Sequence, residues 1–454
     1  MVEHRLAAVV PAWNEVAAIG GVVSGLLAAG ACCVYVVDPG STDGTQDAAR
    51  EAGAGVIEEP RRGYGQASLT GAGAACGHDL IVVLDGDGSC DPADLPRLAA
   101  AAGAADLVLG WRERIGRGAL PWHARLGNCL ICALLRARTC QKVHDVPPFK
   151  VVRADALAAI GPCETGYGWT VELVGRALAH PAMRVAEVPV GFRPRVGGES
   201  KVSGRLVPSV RAGLAMLGQA RSATRGRGLL VMMAKPPRRG HCKTRLAEDV
   251  GVAAAQGFWT ASLQDSARTL LAAGREAGLD VLAMVPSPAD AAVVRELTGL
   301  PCLAQHRPGL GQALLEVSEL PAPYTVAVSA DTPALPVERL LLAVEALRSA
   351  PAVLGPCEDG GYYLVGLRRG FSVDSRRRAF LQVPMGGPGV LEHTRSALGA
   401  PVELEPWQDV DTVADLECLA RRLQEDPWAA PAVADWLAER RRSERVPPSK
   451  QEAG

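Results

Sequence analysis

Two aspartates, Asp85 and Asp87, stand at i and i+2 where the apolar run LIVVL ends. Alternate residues of an extended segment point the same way, so both carboxylates can face one point. That point lies beyond the carboxyl end of a strand, where open α/β sheets take their ligands. Two hard oxygen donors suit Mg2+ or Mn2+, and such an ion would hold phosphate oxygens. Asp-Gly pairs are also ordinary turn formers, so the triplet alone is a weak signal. Its company strengthens it. Asn14 and Glu15 follow a first apolar run in VVPAWNE, Asp38 follows a second in VVDPGSTDGT, and RRGYGQA follows a third. In the second of these, Asp43 reads as the N-cap of the helix that starts near Thr45.

A second set of the same kind lies far down the chain. MAKPPRRGHCKTRL puts Lys235, Lys243 and Arg245 in one basic, Pro- and Gly-shaped loop after the run GLLVM, a plausible phosphate cradle. Asp331 ends YTVAVSAD, GPCEDGGYY supplies Glu358 and Asp359, and WQDVDTVADL offers Asp409 and Asp411, again at i and i+2. Thr412 and Asp415 read as caps of the following helix.

These groups need elements to hold them. Short apolar runs rich in β-branched residues alternate with Ala- and Leu-rich helical stretches, which predicts mainly parallel sheets covered on both faces. The alternation restarts near Gly228, after the polar stretch QARSATRGRG. The expected organisation is a domain over 1–222, a linker over 223–228, a second domain over 229–435 and a disordered tail over 436–454. LIVVLDGDGSCDPADL and YTVAVSADTPALPVERL share a pattern of strand, terminal Asp, Pro-containing turn and helix, so the two halves place the same chemical group at the same point.

Composition narrows the classes. With 48 basic against 49 acidic residues the formal charge is −1, which argues against a global basic surface for nucleic acid. Hydrophobic residues at 48% can build cores. No run approaches the ~20 apolar residues of a membrane span, and the first residues do not read as an export signal, so a cytoplasmic setting is expected. Twelve scattered cysteines fit reduced core residues better than a disulfide framework, and Cys129-x-x-Cys132 reads as helix core rather than half a metal site. From Arg193 to Arg227 the chain carries eight Lys/Arg and one acid around the apolar-rich LVPSVRAGLAML. That segment reads either as a membrane-surface or lipid-phosphate platform at the inner membrane face or as an ordinary packing helix.

The motifs VVPAWNE, VVDPGSTDGT, RGYGQA, VLDGDGSCDP, LGWRE, HDVPPFK, GYGWTVEL and GGESKVSG, in that order, resemble glycosyltransferase family 2, in particular the branch of dolichol-phosphate mannose and glucose synthases. The resemblance implies a GT-A fold, a nucleotide-diphosphate sugar donor and a divalent metal. It implies that Pro11, Asn14, Glu15 and Asp38 line the nucleotide pocket, that Asp85 and Asp87 hold metal and diphosphate, that Asp145 lies near the reacting sugar, and that Arg195, Ser200 and Lys201 grip phosphate. Where members of the family often have a second Asp, this chain has Pro39, and Trp111 stands in place of a usual small residue. The second half resembles a family of GT-A-like bacterial proteins related to molybdenum-cofactor and phospholactate guanylyltransferases. That likeness implies a nucleotide or nucleotide-sugar site, with Asp331 and Asp411 as metal ligands and Lys243 and Arg245 on phosphate.

The expectation is therefore two tandem GT-A, Rossmann-like α/β domains with mainly parallel sheets. The first transfers a sugar from a UDP- or GDP-sugar to a polyprenyl phosphate or small-molecule acceptor with Mg2+ or Mn2+. Asp87 and Asp145 are the catalytic candidates, Asp145 as a base if the acceptor is a hydroxyl. The second domain binds a nucleotide or nucleotide sugar. The alternatives are nucleotidyl transfer as the main activity, or a non-catalytic nucleotide-binding module.

Overall fold

A computed structural model of the chain describes residues 4–115, 119–197, 206–240, 242–383, 385–387 and 389–445. The chain divides into two compact units, Met1–Arg225 and Gly226–Gly454. Each is an α/β domain built on one seven-stranded sheet.

The first sheet contains β1 (Leu6–Pro11), β2 (Cys33–Asp38), β3 (Gly55–Glu58), β4 (Leu80–Val83), β5 (Leu107–Ile115), β6 (Lys150–Arg153) and β7 (Val185–Phe192). Their order across the sheet is 3-2-1-4-6-5-7. β6 runs antiparallel between β4 and β5, and the other pairings are parallel. Ala7 through Val10 of β1 are completely buried, as a central strand covered on both faces requires. Ala8 and Val10 join Ile19, Val22 and Leu26 of the helix Val16–Ala28 in one core layer. Val9 points the other way, against Gly71 of the helix Tyr64–Ala74, where an added Cβ would stand 2.2 Å from Val9 Cγ1. A residue larger than glycine there would push the helix off the sheet.

The second sheet contains β8 (Leu229–Met233), β9 (Asp280–Val285), β10 (Cys302–Ala304), β11 (Tyr324–Ser329), β12 (Ala352–Pro356), β13 (Tyr362–Arg368) and β14 (Val402–Glu403). Its order, 10-9-8-11-13-12-14, is the first order with seven added to each number. The antiparallel strand also recurs, β13 lying between β11 and β12. One topology therefore occurs twice, and β11, which leads to Asp331, occupies the place of β4, which leads to Asp85.

Two expectations change. The chain is helical over Pro431–Arg445, inside the stretch expected to be a disordered tail from 436. Val433 is buried, and Trp436 meets Phe258 edge to face at 5.7 Å, so an apolar face anchors a segment whose charged composition suggested disorder. The helix at Thr45 takes Gly44 as its N-cap, with Asp43 one residue earlier. Asp43 still accepts from Thr45 N at 3.0 Å, and it also receives Val16 N at 3.2 Å, which ties the loop after β2 to the helix after β1.

Candidate active site

The carboxyl ends of β1, β2 and β4 bring Pro11, Asp38 and Asp85 to one edge of the first sheet, where a cleft of about 1000 Å³ opens. Pro11, Trp13, Glu15, Asp85, Asp87, Arg112 and Arg195 are in its wall, with Arg62 from the loop after β3 and Tyr64 from the start of the helix Tyr64–Ala74. Asn14 and Asp38 are not in that wall and hold its loops. Asn14, in a left-handed conformation with φ 54°, accepts from Thr42 N at 3.0 Å and donates its own N–H to Ser41 Oγ at 2.8 Å. The buried Asp38 accepts Gly40 N at 2.7 Å and Ser41 N at 2.6 Å through Oδ1, while its Oδ2 is buried and has no hydrogen-bond partner among the described residues.

The two carboxylates of the acidic pair are unequally partnered. Oδ1 of Asp85 is buried without a partner among the described residues. Burial first, and the Asp87 charge second, push the Asp85 carboxyl up to about 6. Asp87 is better provided for: Oδ1 accepts Ser89 N at 2.9 Å and Oδ2 meets Arg195 at 2.8 Å. Arg195 also reaches Glu15 at 3.4 Å. Its segment is laid on the Asp87 turn by backbone bonds from Arg193 N to Ser89 O and from Val196 N to Asp87 O. Ser200 and Lys201 lie outside the described residues.

Sequence reasoning missed the cations on the other side of the pair. Lys150 on β6 stands opposite Val83 and is completely buried. Its Nζ donates to Pro148 O at 3.0 Å and Thr170 Oγ1 at 3.2 Å, and burial pushes the ammonium down to about 8 against the pull of Asp85. Arg112 on β5 is bound to Asp145. Nε and Nη2 each reach a different carboxylate oxygen at 2.7 Å, and Arg112 backbone N adds a third bond at 3.0 Å. Asp145 is 3% exposed and lies behind the cleft, whereas Arg112 lines it. Both cations lie in the motifs LGWRE and HDVPPFK, but Arg112 meets Asp145 across 33 residues and Lys150 nears Asp85 only through a strand inversion, which local patterns do not show. Trp111 stacks on His144 with ring centres 4.8 Å apart.

The remaining wall is apolar over much of its extent, with Leu120, Ile131, Val146, Phe192 and Met216. His123 also lines it, with Nε2 buried and unpartnered among the described residues. Helix Leu206–Ala223, the apolar-rich candidate of the 193–227 segment, packs against helices Trp122–Thr139 and Trp169–Ala179. Of the CxxC pair, Cys132 is buried and Cys129 exposed.

In the second domain Asp331, Asp409 and Asp411 converge, with carboxylate oxygens within 4.8 Å of one another. Lys243 Nζ sits among them, 3.1 Å from Asp331 and 2.6 Å from Asp411. Burial pushes the Asp331 carboxyl up, but the Lys243 ammonium and the Ser329 hydroxyl together hold it below the usual range. Asp409 has no such partner: burial, then Asp331, Asp359 and Asp411, push it up to about 7. Asp359 belongs to a second grouping with Cys357 and Asp409. Arg245 is exposed, 3.6 Å from Asp411; Lys235 and Glu358 are exposed, and Glu358 joins neither grouping. Thr412 and Asp415 form a capping box on helix Val413–Glu425.

Residues 7–161 match the model for Glycosyl transferase family 2, and residues 269–387 match DUF2064, described as an uncharacterized protein conserved in bacteria. An uncharacterized glycosyltransferase of Mycobacterium tuberculosis is 39% identical over 213 residues, which is 47% of this chain and 96% of that protein. An undecaprenyl-phosphate mannosyltransferase of Micrococcus luteus is 34% identical over 218 residues, covering 45% of this chain and 89% of its own length. Among solved structures, glucosyl-3-phosphoglycerate synthase of Mycobacterium tuberculosis with Mn2+, UDP-glucose and phosphoglyceric acid shares 21% identity and a TM-score of 0.40, over 49% of this chain and 80% of that one.

Proposed function

We propose that this chain, which belongs to glycosyltransferase family 2 through its N-terminal half, moves a hexosyl group from a UDP- or GDP-sugar to a polyprenyl phosphate. The observation that carries the reading is the make-up of one cleft, in which an acidic pair and three arginines share a wall with a broad apolar surface. A diphosphate needs the first and an isoprenoid chain suits the second. The mannosyltransferase of Micrococcus luteus, whose name specifies undecaprenyl phosphate, adds support.

Asp85 and Asp87 fit a divalent ion. The buried, unpartnered Oδ1 of Asp85 leaves a lone pair for it, and two carboxylates plus substrate phosphates are a common set for Mg2+ or Mn2+. When bound, such an ion offsets the charge that develops on the diphosphate as the glycosidic bond breaks. Arg195, held by Asp87 and Glu15, supplies positive charge beside the same group. Arg112, aimed by Asp145, supplies it for the acceptor phosphate. The donor C1–O bond breaks with the electron pair leaving on the nucleoside diphosphate, and an acceptor phosphate oxygen forms the new bond to C1.

A phosphate acceptor is already ionised and needs no base. That suits Asp145, whose two oxygens already receive three N–H groups of Arg112. We therefore give Asp145 a positioning role in place of the base role a hydroxyl acceptor would demand. The test is to incubate the full chain with a panel of UDP- and GDP-hexoses, Mn2+ or Mg2+ and a polyprenyl phosphate, and to assay the lipid phase for sugar. Transfer to soluble hydroxyl acceptors with none to lipid phosphate would overturn the acceptor assignment; no transfer to any acceptor would overturn the whole reading.

For the second domain we propose a nucleotide or nucleotide-sugar site at Asp331, Asp409 and Asp411, supported by the repeated topology that places Asp331 as Asp85 is placed. Nucleotidyl transfer, the reaction that the likeness read from the sequence would imply for this half, is the second reading. It is favoured by Lys243 at the end of the loop after β8 and Arg245 in the helix Thr244–Val250 that follows, and pyrophosphate release from a nucleoside triphosphate distinguishes it.

A further inference from the structure

The helix Trp122–Thr139 has two apolar sides. Ile131, with Ala124, Gly127 and Asn128, lines the cleft. On another side Trp122, Leu126 and Leu130 stand at i, i+4 and i+8 with 73%, 53% and 50% of their surface exposed. Residues at that spacing form one stripe along a helix. On the neighbouring helix Leu206–Ala223, Leu214 is also 66% exposed. A bare stripe of this size, joined through one helix to a ligand cleft, marks a surface that meets something apolar.

Charge identifies what. The helix carries Arg125, Arg136 and Arg138 and no acidic residue. Arg125 and Arg136 are exposed. A second copy docked across a two-fold axis would bring this patch against itself and set like charges face to face. Bulky apolar side chains flanked by arginines suit the plane between acyl chains and anionic headgroups.

We propose that the Trp122, Leu126 and Leu130 stripe lies in the surface of an anionic lipid bilayer, with the opposite side of the same helix forming the cleft wall. The inference deepens the lipid-acceptor reading and rests on it for its purpose, but not for its measurement. The stripe enters the headgroup and acyl boundary, Arg125 and Arg136 meet lipid phosphates, and the cleft is held beside the leaflet that contains its acceptor.

The test is flotation of the full chain with phosphatidylcholine vesicles, with and without phosphatidylglycerol. The wild type is expected to float with the anionic vesicles. The triple variant Trp122→Ser, Leu126→Ser, Leu130→Ser is expected to lose about 100-fold in partitioning, from roughly half-burial of three large apolar side chains. Arg125→Gln is expected to lose about five-fold on anionic vesicles and nothing on neutral ones. Nucleotide release from the donor in vesicle-free buffer checks that each variant is folded, since none of these residues lines the cleft. Wild type that stays unbound, or a triple variant that floats as well as wild type, overturns the proposal. So does a wild-type dimer in vesicle-free buffer that the triple variant dissolves, since the stripe is then covered by a second copy. Sugar transfer to detergent-dispersed polyprenyl phosphate without vesicle binding defeats the surface and spares the function; binding without any lipid product does the reverse.

Discussion

Asp145→Asn separates two roles for one carboxylate. In the native protein Asp145 is 3% exposed and accepts three N–H groups from Arg112, two from the guanidinium at 2.7 Å and one from the backbone at 3.0 Å. The asparagine keeps the shape, removes the charge and replaces one acceptor oxygen with an NH2 that opposes an arginine N–H. Removing one partner of a buried charge pair costs about 3–5 kcal/mol. If half or more of that is lost from the aim of Arg112 rather than from global stability, kcat/KM falls by roughly 10- to 10³-fold. The assay is transfer to a polyprenyl phosphate across a range of pH, for Asp145→Asn, Arg112→Met and the double variant. A positioning role predicts that both single variants lose activity similarly, that the double variant is little worse than either, and that the shape of the pH profile is retained. The reasoning is refuted if Arg112→Met keeps near-native activity while Asp145→Asn abolishes it and removes the acidic limb of the profile, because Asp145 is then the proton acceptor.

Chelation by EDTA, or Asp85→Asn, is expected to weaken nucleotide-sugar binding by more than about a hundredfold; titration calorimetry with UDP and GDP checks this, and unchanged affinity would remove the metal assignment. Lys243→Met leaves Asp331, Asp409 and Asp411 without the ammonium between them, so the melting temperature of the second domain should fall, and added Mn2+ or Mg2+ should restore it. A variant that melts low and ignores both ions argues against a cation site there. Gly65→Ala would place a Cβ 2.2 Å from Glu164 O and 2.8 Å from Trp169 Cβ, and should cost about 1–3 kcal/mol in denaturant unfolding. Gly73→Ala, in the same helix with nothing within 4 Å of the added Cβ, should instead stabilise by about 0.5–1 kcal/mol.

The pattern of strand-end acids was legible in the sequence because it depends on two local facts, where an apolar run stops and the period of an extended chain. Asp85, Asp87 and Asp331 follow from those alone. Arg112 and Lys150 did not, although each lies within a quoted motif. Their relation to Asp145 and Asp85 is made by β6, which turns back between β4 and β5 and carries Lys150 to the far side of the acidic pair. Periodicity on one strand cannot say which neighbour it pairs with, or in which direction. Asp409 shows the same limit: Asp409 and Asp411 were visible as a pair, but only the fold brings them to Asp331.

The helix Trp122–Thr139 shows what amphipathic spacing leaves open. Its apolar residues make more than one stripe, so the pattern identifies a helix without saying which side is buried. Ile131, Cys132 and Leu135 are buried, while Leu126 and Leu130, one turn away, are bare. From the sequence, 193–227, where the basic count is high, reads either as a lipid-facing platform or as a packing helix, and the Cys129-x-x-Cys132 run reads as helix core. The structure packs Leu206–Ala223 against the helix Trp122–Thr139 and leaves Trp122, Leu126 and Leu130 of the latter outside. Charge count singled out 193–227, whereas exposure singles out the neighbouring helix. The same logic links the two halves of the chain. One strand order occurs twice and carries an aspartate at the same strand end both times, yet the surroundings differ. Asp85 keeps an unpartnered oxygen beside a cleft of about 1000 Å³, whereas Asp331 already holds the ammonium of Lys243. A repeated fold thus supplies the same position for charge, and the neighbouring cations decide what that position can bind.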